Sequence, residues 1–448
     1  MSISARPVLR AIRTVTFTAM AAAGCAIPSG IGVTSFTARK PALGDTASIA
    51  LSAALDAFVT QRVAADSFSG VVLVARHGLP VYARAVGIAN RETGDPMRVD
   101  TKLQTASVTK LYTQIAIQQL VQAGKVQLTD TVGRFLPNYP NPVVRRRVTV
   151  DQLLRHLSGV GSFFNEKYLA NVGTVRTLAD YIALFDHDSL LFEPGTSQAY
   201  SNGGYVLLGA IVEQASGRGF QEYLRDHVFA PAGMMDTYPF ERQVARSNAA
   251  VGYTTQPLGG PASGDRRLAG QGPRPGVEGA SGAGASRQSG DSSSRPAGQR
   301  MLRPGDSPSP GPGRQLMLVG PDGKQLSQAE AQQAVAQMGA PSGVRHANSA
   351  IQPGVNSPAG DEYSSVGDFV KLAAALRAHV LLDEAHTAAL LGSQYGRGGP
   401  FHVAGGGPGV NAEFSLYSNG DVIVVLSNYD PPSATLIATR AAELLEKK

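Results

Sequence analysis

Strand-forming residues are gathered near the two ends of this chain, and a long helical stretch separates them. "GVVLVAR" (70–76) and "PVYARAVG" (80–87) are β-branched runs divided by a turn. Late in the chain "FHVAGG" (401–406), "AEFSLYS" (412–418) and "DVIVVLSN" (421–428) follow, and Asn419-Gly420 between the last two is a strong hairpin signal. We therefore predict one antiparallel sheet built from the N- and C-terminal strands.

The helical segments complete this pattern. "TASIALSAALDAFVTQRVAA" (46–65) and the segment from Ser433 to Glu446 are predicted to be terminal helices, and residues 105–233 are mainly helical. The predicted fold class is α+β. Its antiparallel sheet is flanked by the terminal helices, and a mostly helical second lobe leaves a cleft between the two parts.

Composition changes sharply within the chain. Residues 256–315 are dominated by Gly, Pro, Ser and Arg, so they have too little apolar surface to offset the entropy of ordering. We predict a disordered insertion there. It carries eight arginines against four acidic residues, a net +4 of the formal +6 of the whole chain. The remainder is nearly neutral, which argues against nucleic-acid binding.

The amino terminus has the features of an export signal. Arg6, Arg10 and Arg13 precede the short apolar run "TVTFTAMAAAG" and then Cys25, the single cysteine. We predict a signal peptide over residues 1–26 and a flexible lead over 27–45. Small residues before Cys25 are typical of a bacterial lipoprotein site, although Ala22 stands where leucine is usual, so lipidation and ordinary cleavage both remain open. In either case we expect an exported protein, in the periplasm or outer envelope.

A serine stands three residues before a lysine in "LQTASVTKLYTQ", where an amphipathic helix begins. Ser107 and Lys110 are neighbours on one helical face, so the lysine is within reach of the serine hydroxyl. A helix N-terminus also disfavours a protonated lysine and stabilises an alkoxide. The alternative is an ordinary helix start, since serine is a common cap.

A second candidate pair is Tyr200 and Asn202 in "FEPGTSQAYSNGGYVLLGAIVEQASG". A phenol held near a lysine can carry protons, and an asparagine can bond both a lysine and a substrate amide. The alternative is that Asn202 caps the following helix and Tyr200 packs. The eight histidines include no H-E-x-x-H and no close pair, so we predict no metal and no cofactor.

Six segments stand in order along the chain: "TASVTKLYT", "LLRHLSGV", "FEPGTSQAYSNGGYVLLGAIVE", "FAPAGMMDT", "SPAGDEYSSVGDFVKLAAAL" and "GGGPGVNAEF". Together they resemble the serine β-lactamase-like family, which includes class C β-lactamases, D-alanyl-D-alanine carboxypeptidases and other penicillin-binding proteins, and related esterases. The resemblance covers roughly residues 47–255 and 355–447. It implies Ser107 as the acylated nucleophile, Lys110 and Tyr200 as proton carriers, and Asn202 as a substrate-orienting residue. It also implies one hydrolase domain over 46–448, interrupted by the insertion.

The third motif of the family fits less well. Members usually carry Lys-Thr-Gly or His-x-Gly on a strand beside the serine. Here the basic position falls on Val403 and the glycine on Gly405, with His402 one residue early. That offset turns a side chain to the other face of a strand unless a bulge in the glycines restores the register. We keep His402 as a candidate substrate-binding residue, and Gly406 N–H with Ser107 N–H as candidate oxyanion donors.

The resemblance implies a serine hydrolase acting through an acyl-enzyme, and the N-terminal signal predicts that it is exported. Its substrate would be a small molecule or peptide: an ester, an amide, a β-lactam, or a D-alanyl peptide derived from peptidoglycan. The displaced third motif favours small esters or amides over carboxylate-bearing peptides. Two alternatives remain open: a catalytically inactive peptidoglycan- or peptide-binding protein on the same fold, and a tether in which the arginine-bearing insertion binds anionic envelope polymers.

Overall fold

The computed structural model of the protein describes residues 46–240, 247–256, 343–360 and 362–446. The predicted signal peptide (1–26), the predicted lead (27–45) and, Gln256 aside, the predicted insertion (256–315) lie outside these residues. The strands are β1 Gly70–Arg76, β2 Leu79–Val86, β3 Ile88–Asn90, β4 Asp95–Pro96, β5 Leu103–Gln104, β6 Tyr238–Pro239, β7 Tyr253–Thr254, β8 His346–Ala347, β9 Glu362–Ser364, β10 Phe401–Gly407, β11 Val410–Leu416 and β12 Val422–Ser427.

Longer and shorter helices alternate with these strands. The α-helices are α1 Thr46–Ala64, α2 Lys110–Gln122, α3 Val132–Phe135, α4 Pro142–Arg147, α5 Val150–Leu154, α6 Glu166–Asn171, α7 Leu178–Ala183, α8 Asn202–Ser216, α9 Phe220–Leu224, α10 Val366–Arg377, α11 Glu384–Gly396 and α12 Ser433–Glu446. Short 3₁₀ turns span Ala106–Thr109 and Asn348–Ile351, and a π-helical turn spans Arg225–Phe229. None of the helices in the described ranges is both long and apolar enough to cross a bilayer.

The predicted sheet is confirmed. Its order is β10-β11-β12-β1-β2, and each neighbouring pair is antiparallel. The first and last parts of the chain therefore meet at its centre, where Gly70 pairs with Ser427. The hairpin expected at Asn419-Gly420 joins β11 to β12, and Gly420 has a φ of +89°, which glycine adopts at little cost.

The two faces of this sheet pack against different layers, as predicted. The outer face is covered by α1 and α12, through a core that includes Leu51, Leu55, Val72, Val425 and Ile437. The inner face packs against the helical lobe, through a larger core that includes Leu73, Phe414, Val424, Ile115 and Leu208. Every residue from Val71 to Ala75 is fully buried, because β1 is covered on both sides.

The helical lobe centres on α2 and α8, which pack side by side. Helix α8 ends at Gly217, whose φ of +72° closes the last turn, and α10 is capped by the side chain of Ser365. A small three-stranded sheet, β5-β9-β6, lies where the chain enters the nucleophile segment. Its strands of two or three residues were not predicted.

Candidate active site

Ser107 lies in a tight 3₁₀ turn between β5 and α2. The start of the turn is held to β9, because the backbone N–H and the hydroxyl of Thr105 both donate to the carbonyl of Glu362, at 2.9 and 3.0 Å. Ala106 has a φ of +43°, a conformation that costs a non-glycine residue about 1–2 kcal/mol. Such strain persists only where the surroundings fix it, and here it directly precedes a half-buried serine.

Lys110 begins α2 and points its amine at Ser107. Its Nζ lies 3.1 Å from Ser107 Oγ, 2.8 Å from Asn202 Oδ1 and 2.5 Å from the carbonyl of Ala359, and the residue is only 5% exposed. Both Asn202 Oδ1 and the Ala359 carbonyl are acceptors. A neutral amine has two N–H bonds, which these oxygens accept, and one lone pair, which can take the proton of Ser107.

Tyr200 reaches the same hydroxyl from the other side. Its phenol donates to Ser107 Oγ at 2.6 Å, and its ring centroid lies 4.8 Å from Lys110 Nζ. The side chain is nevertheless 48% exposed, so this side of the site is open to solvent. Ser107 Oγ is thus contacted by two groups that can carry protons, which is the arrangement that a serine nucleophile needs.

Asn202 does not cap α8. The cap is Ser201, whose hydroxyl accepts from the backbone N–H of Gly204 at 2.8 Å. The Asn202 side chain is therefore directed to Lys110 and, through Nδ2, to Ser162 Oγ at 3.4 Å. Of the two interpretations offered by the sequence, this position favours contact with the lysine over helix capping.

The edge strand β10 passes beside the nucleophile at Gly405. A Cβ atom at Gly405 would stand 2.7 Å from Ser107 N and 2.5 Å from the Thr105 carbonyl, so only glycine allows this approach. Gly406, the candidate oxyanion donor, follows directly. A Cβ at Gly406 would meet Pro431 at 2.6 Å, on the opposite side of the strand.

The expectation that His402 contributes to substrate binding is wrong for this structure. Strand β10 pairs with β11 in continuous register from Phe401 to Gly407, so no bulge brings the ring back to the cleft. His402 therefore lies on the face opposite to Gly405. Its Nδ1 is 2.9 Å from Ser415 Oγ and its Nε2 is 3.2 Å from the buried carboxylate of Glu413.

Val403 occupies the face that His402 does not. It shares the side of β10 with Gly405 and packs, half-buried, at the edge of the larger core. The strand next to Ser107 therefore presents an apolar side chain where the sequence pattern led us to look for a cation or an imidazole.

Two contributors to the site were missed by sequence reasoning. The carbonyl of Ala359 accepts from Lys110, and it lies in "SPAGDEYSSVGDF", a segment that indicates the family resemblance but not this contact. His156 lies against the ring of Tyr200, with centroids 4.7 Å apart, in a segment to which the sequence assigned no functional role. Among the described residues no group of three or more His, Cys, Asp or Glu side chains is placed to hold a metal.

Comparisons with known proteins identify a family and several relatives. Residues 55–445 match the family model described as Beta-lactamase. Esterase EstB of Burkholderia gladioli is 36% identical over 204 residues, covering 42% of this chain and 51% of that protein. Penicillin-binding protein 4* of Bacillus subtilis is 31% identical over 182 residues, covering 40% of this chain and 39% of that protein. The chain thus spans about half or less of the length of these curated relatives.

A solved structure extends the likeness over most of the fold. The penicillin-binding protein from Bacillus halodurans superposes with a TM-score of 0.61 at 25% identity, covering 87% of this chain and 98% of that one. The overall fold is therefore shared with it.

Proposed function

The chain belongs to the Beta-lactamase family, and we propose that it is a serine hydrolase working through an acyl-enzyme on Ser107. The observation that carries this proposal is the meeting of Lys110 Nζ and the Tyr200 phenol at one hydroxyl, at 3.1 and 2.6 Å. Such a pair can remove the serine proton during attack and return it to the leaving group.

In the proposed reaction, Ser107 Oγ gives its proton to Lys110 and bonds to the carbonyl carbon of the substrate. The backbone N–H groups of Ser107 and Gly406 are the proposed donors to the resulting oxyanion. Collapse breaks the bond to the alcohol or amine, which leaves with a proton from the Tyr200 phenol. Lys110 reprotonates the phenol. Water then attacks the acyl-enzyme and gives one proton to the same pair. The bond between Ser107 Oγ and the carbonyl carbon breaks, Oγ takes that proton back, and the acid is released.

We propose a neutral ester or amide as the preferred substrate. Val403 lies on the Ser107 side of β10 and His402 is held on the other face by Glu413, so neither offers a charge to a substrate carboxylate. The similarity to a protein named as an esterase supports the same choice. A β-lactam or a D-alanyl peptide from peptidoglycan is expected to react more slowly.

We also propose that the protein is exported to the bacterial envelope. The support is the sequence of residues 1–26, with its three arginines, its short apolar run and Cys25 after small residues. Mass spectrometry of the protein purified from bacterial membranes tests the anchor. A diacylglyceryl mass on Cys25 supports lipidation, and a soluble species cleaved elsewhere overturns it.

Intact-mass spectrometry tests the catalytic proposal. The purified protein is exposed in parallel to a fluorophosphonate probe, a short-chain chromogenic ester and a penicillin. We expect rapid labelling of Ser107 by the probe and turnover of the ester, both abolished by Ser107→Ala and retained by Ser418→Ala, a serine in the exposed β11–β12 turn. A folded protein that neither takes the label nor turns over the ester would overturn the proposal and favour a binding protein.

A further inference from the structure

His156 is tied to the chain on both sides of Tyr200. The backbone N–H of Ala199 donates to the carbonyl of His156 at 3.1 Å, and the backbone N–H of Ser201 donates to His156 Nδ1 at 3.1 Å. One residue therefore accepts from the backbone N–H groups of both neighbours of the tyrosine, Ala199 and Ser201. A side chain that is 48% exposed has little packing of its own to define its position, so these bonds matter for where the phenol lies.

The imidazole of His156 also packs against the aromatic rings beside Lys110. Its centroid lies 4.7 Å from the ring of Tyr200 and 5.2 Å from the ring of Tyr205. These two rings lie 4.8 and 5.4 Å from Lys110 Nζ. The histidine thus contacts both aromatic walls of the lysine pocket.

The hydrogen bond to Ser201 defines the form of the imidazole that fits. A backbone N–H can only donate, so Nδ1 must accept and the proton of a neutral ring must reside on Nε2. His156 also has a φ of +59°, an uncommon conformation that is better tolerated by asparagine than by most residues. The ring of His156 is thus fixed in one orientation by its bond to Ser201, and its backbone by the Ala199 N–H.

We propose that His156 is a positioning residue that holds the Tyr200 phenol on Ser107 Oγ. It acts mainly by accepting the backbone N–H of Ser201 at Nδ1. This proposal rests on the proposed serine hydrolase function. The position of the phenol determines the rate of Ser107 acylation. A phenol displaced by even 1 Å from the serine costs up to about 100-fold in rate, because proton transfer depends on near-contact geometry.

Three substitutions at position 156 test the hydrogen-bond acceptor Nδ1 and the aromatic ring separately. His156→Asn keeps an acceptor near the place of Nδ1 and tolerates the positive φ, His156→Phe keeps a ring without an acceptor, and His156→Ala removes both. His187→Ala is the control, because that side chain is 76% exposed on a surface turn. The measured quantities are the rate constant of Ser107 acylation in a single turnover, kcat, KM and the melting temperature.

We expect His156→Ala and His156→Phe to lower the acylation rate and kcat about 10- to 100-fold at nearly constant KM. His156→Asn should recover most of that loss, and His187→Ala should equal the wild type. Wild-type acylation in the Ala and Phe variants overturns the proposal. So does an equal loss in all three variants accompanied by an equal fall in melting temperature, which marks a purely structural role.

A second measurement does not depend on catalysis. With 3-fluorotyrosine placed at position 200 alone, the ¹⁹F resonance reports the environment of the ring. We expect one narrow line in the wild type and in His156→Asn, and a shifted or broadened line in His156→Ala and His156→Phe. An unchanged line in all variants overturns the positioning role. A wild type that takes no fluorophosphonate label overturns the hydrolase proposal while leaving this test intact.

Discussion

The phenol of Tyr200 donates to Oγ of Ser107 across 2.6 Å, although 93 positions separate the two residues in the chain. Tyr200→Phe removes this oxygen and keeps the ring beside Lys110. We expect acylation to fall about 10²- to 10⁴-fold, the range that a positioned acid or base contributes. The melting temperature should change little, since the side chain is half exposed.

Tyr205→Phe is the matched control for that experiment. The phenol of Tyr205 donates to the carbonyl of Leu154 and accepts from Gln114, and burial raises its pKa to about 12, so it stays protonated. We expect lower stability with acylation retained. A loss of acylation as large as that of Tyr200→Phe would contradict a distinct proton-carrying role for Tyr200.

Substitutions at Asn202 and at its neighbour Ser201 should affect different properties: the first the rate of acylation, the second the stability of α8. Asn202→Asp places a carboxylate beside Lys110 Nζ, where it favours the ammonium form and weakens the base, so we expect at least about a tenfold slower acylation. Ser201→Ala removes the α8 cap and should cost about 1 kcal/mol of stability while acylation persists. Single-turnover rates and calorimetry together check this, and equal kinetic losses in the two variants would refute it.

The contact of β10 with the nucleophile predicts opposite outcomes for two glycines. In Gly405→Ala the new methyl meets the backbone of Ser107 and Thr105, so we expect loss of probe labelling by more than about tenfold together with a lower melting temperature. In Gly407→Ala the nearest atom is a Val410 methyl at 3.5 Å, an ordinary contact, and both properties should stay near wild type. Normal labelling of Gly405→Ala would show that β10 does not approach the serine this closely.

Substrate choice should respond to the inner face of β10 and not to the outer one. Val403→Lys adds a cation on the Ser107 side, and we expect the ratio of penicillin acylation to neutral-ester acylation to rise about tenfold, as one charge-assisted contact allows. His402→Ala changes only the face turned to Glu413, so that ratio should remain unchanged. If the ratio changes in His402→Ala and not in Val403→Lys, then His402, and not Val403, lies on the Ser107 side of β10.

The parts of the fold that depend on local backbone preference were predictable. Asn419-Gly420 favours one tight turn, Gly217 ends a helix, and Ser107 and Lys110 meet because residues three apart share a helical face. The β5-β9-β6 sheet was not predicted, since strands of two or three residues have no readable periodicity. The Ala359 carbonyl could not be predicted as an acceptor for Lys110, because every residue type has a backbone carbonyl. The direction of His402 depended on whether a bulge exists, which only the pairing of β10 with β11 reveals.

The joining of β1 to β12 at the centre of the sheet has a consequence for biosynthesis. Ser427 donates to the carbonyl of Ser69 across 358 positions, and the fully buried residues Val71–Ala75 have no partner on that side until Val422–Ser427 arrives. During translation β1 therefore pairs with β2 but lacks its other neighbour, β12, until the intervening residues have been made. Pairings this distant in the chain form slowly and expose aggregation-prone edges meanwhile. We expect the nascent polypeptide to require a holding chaperone until β12 has emerged from the ribosome.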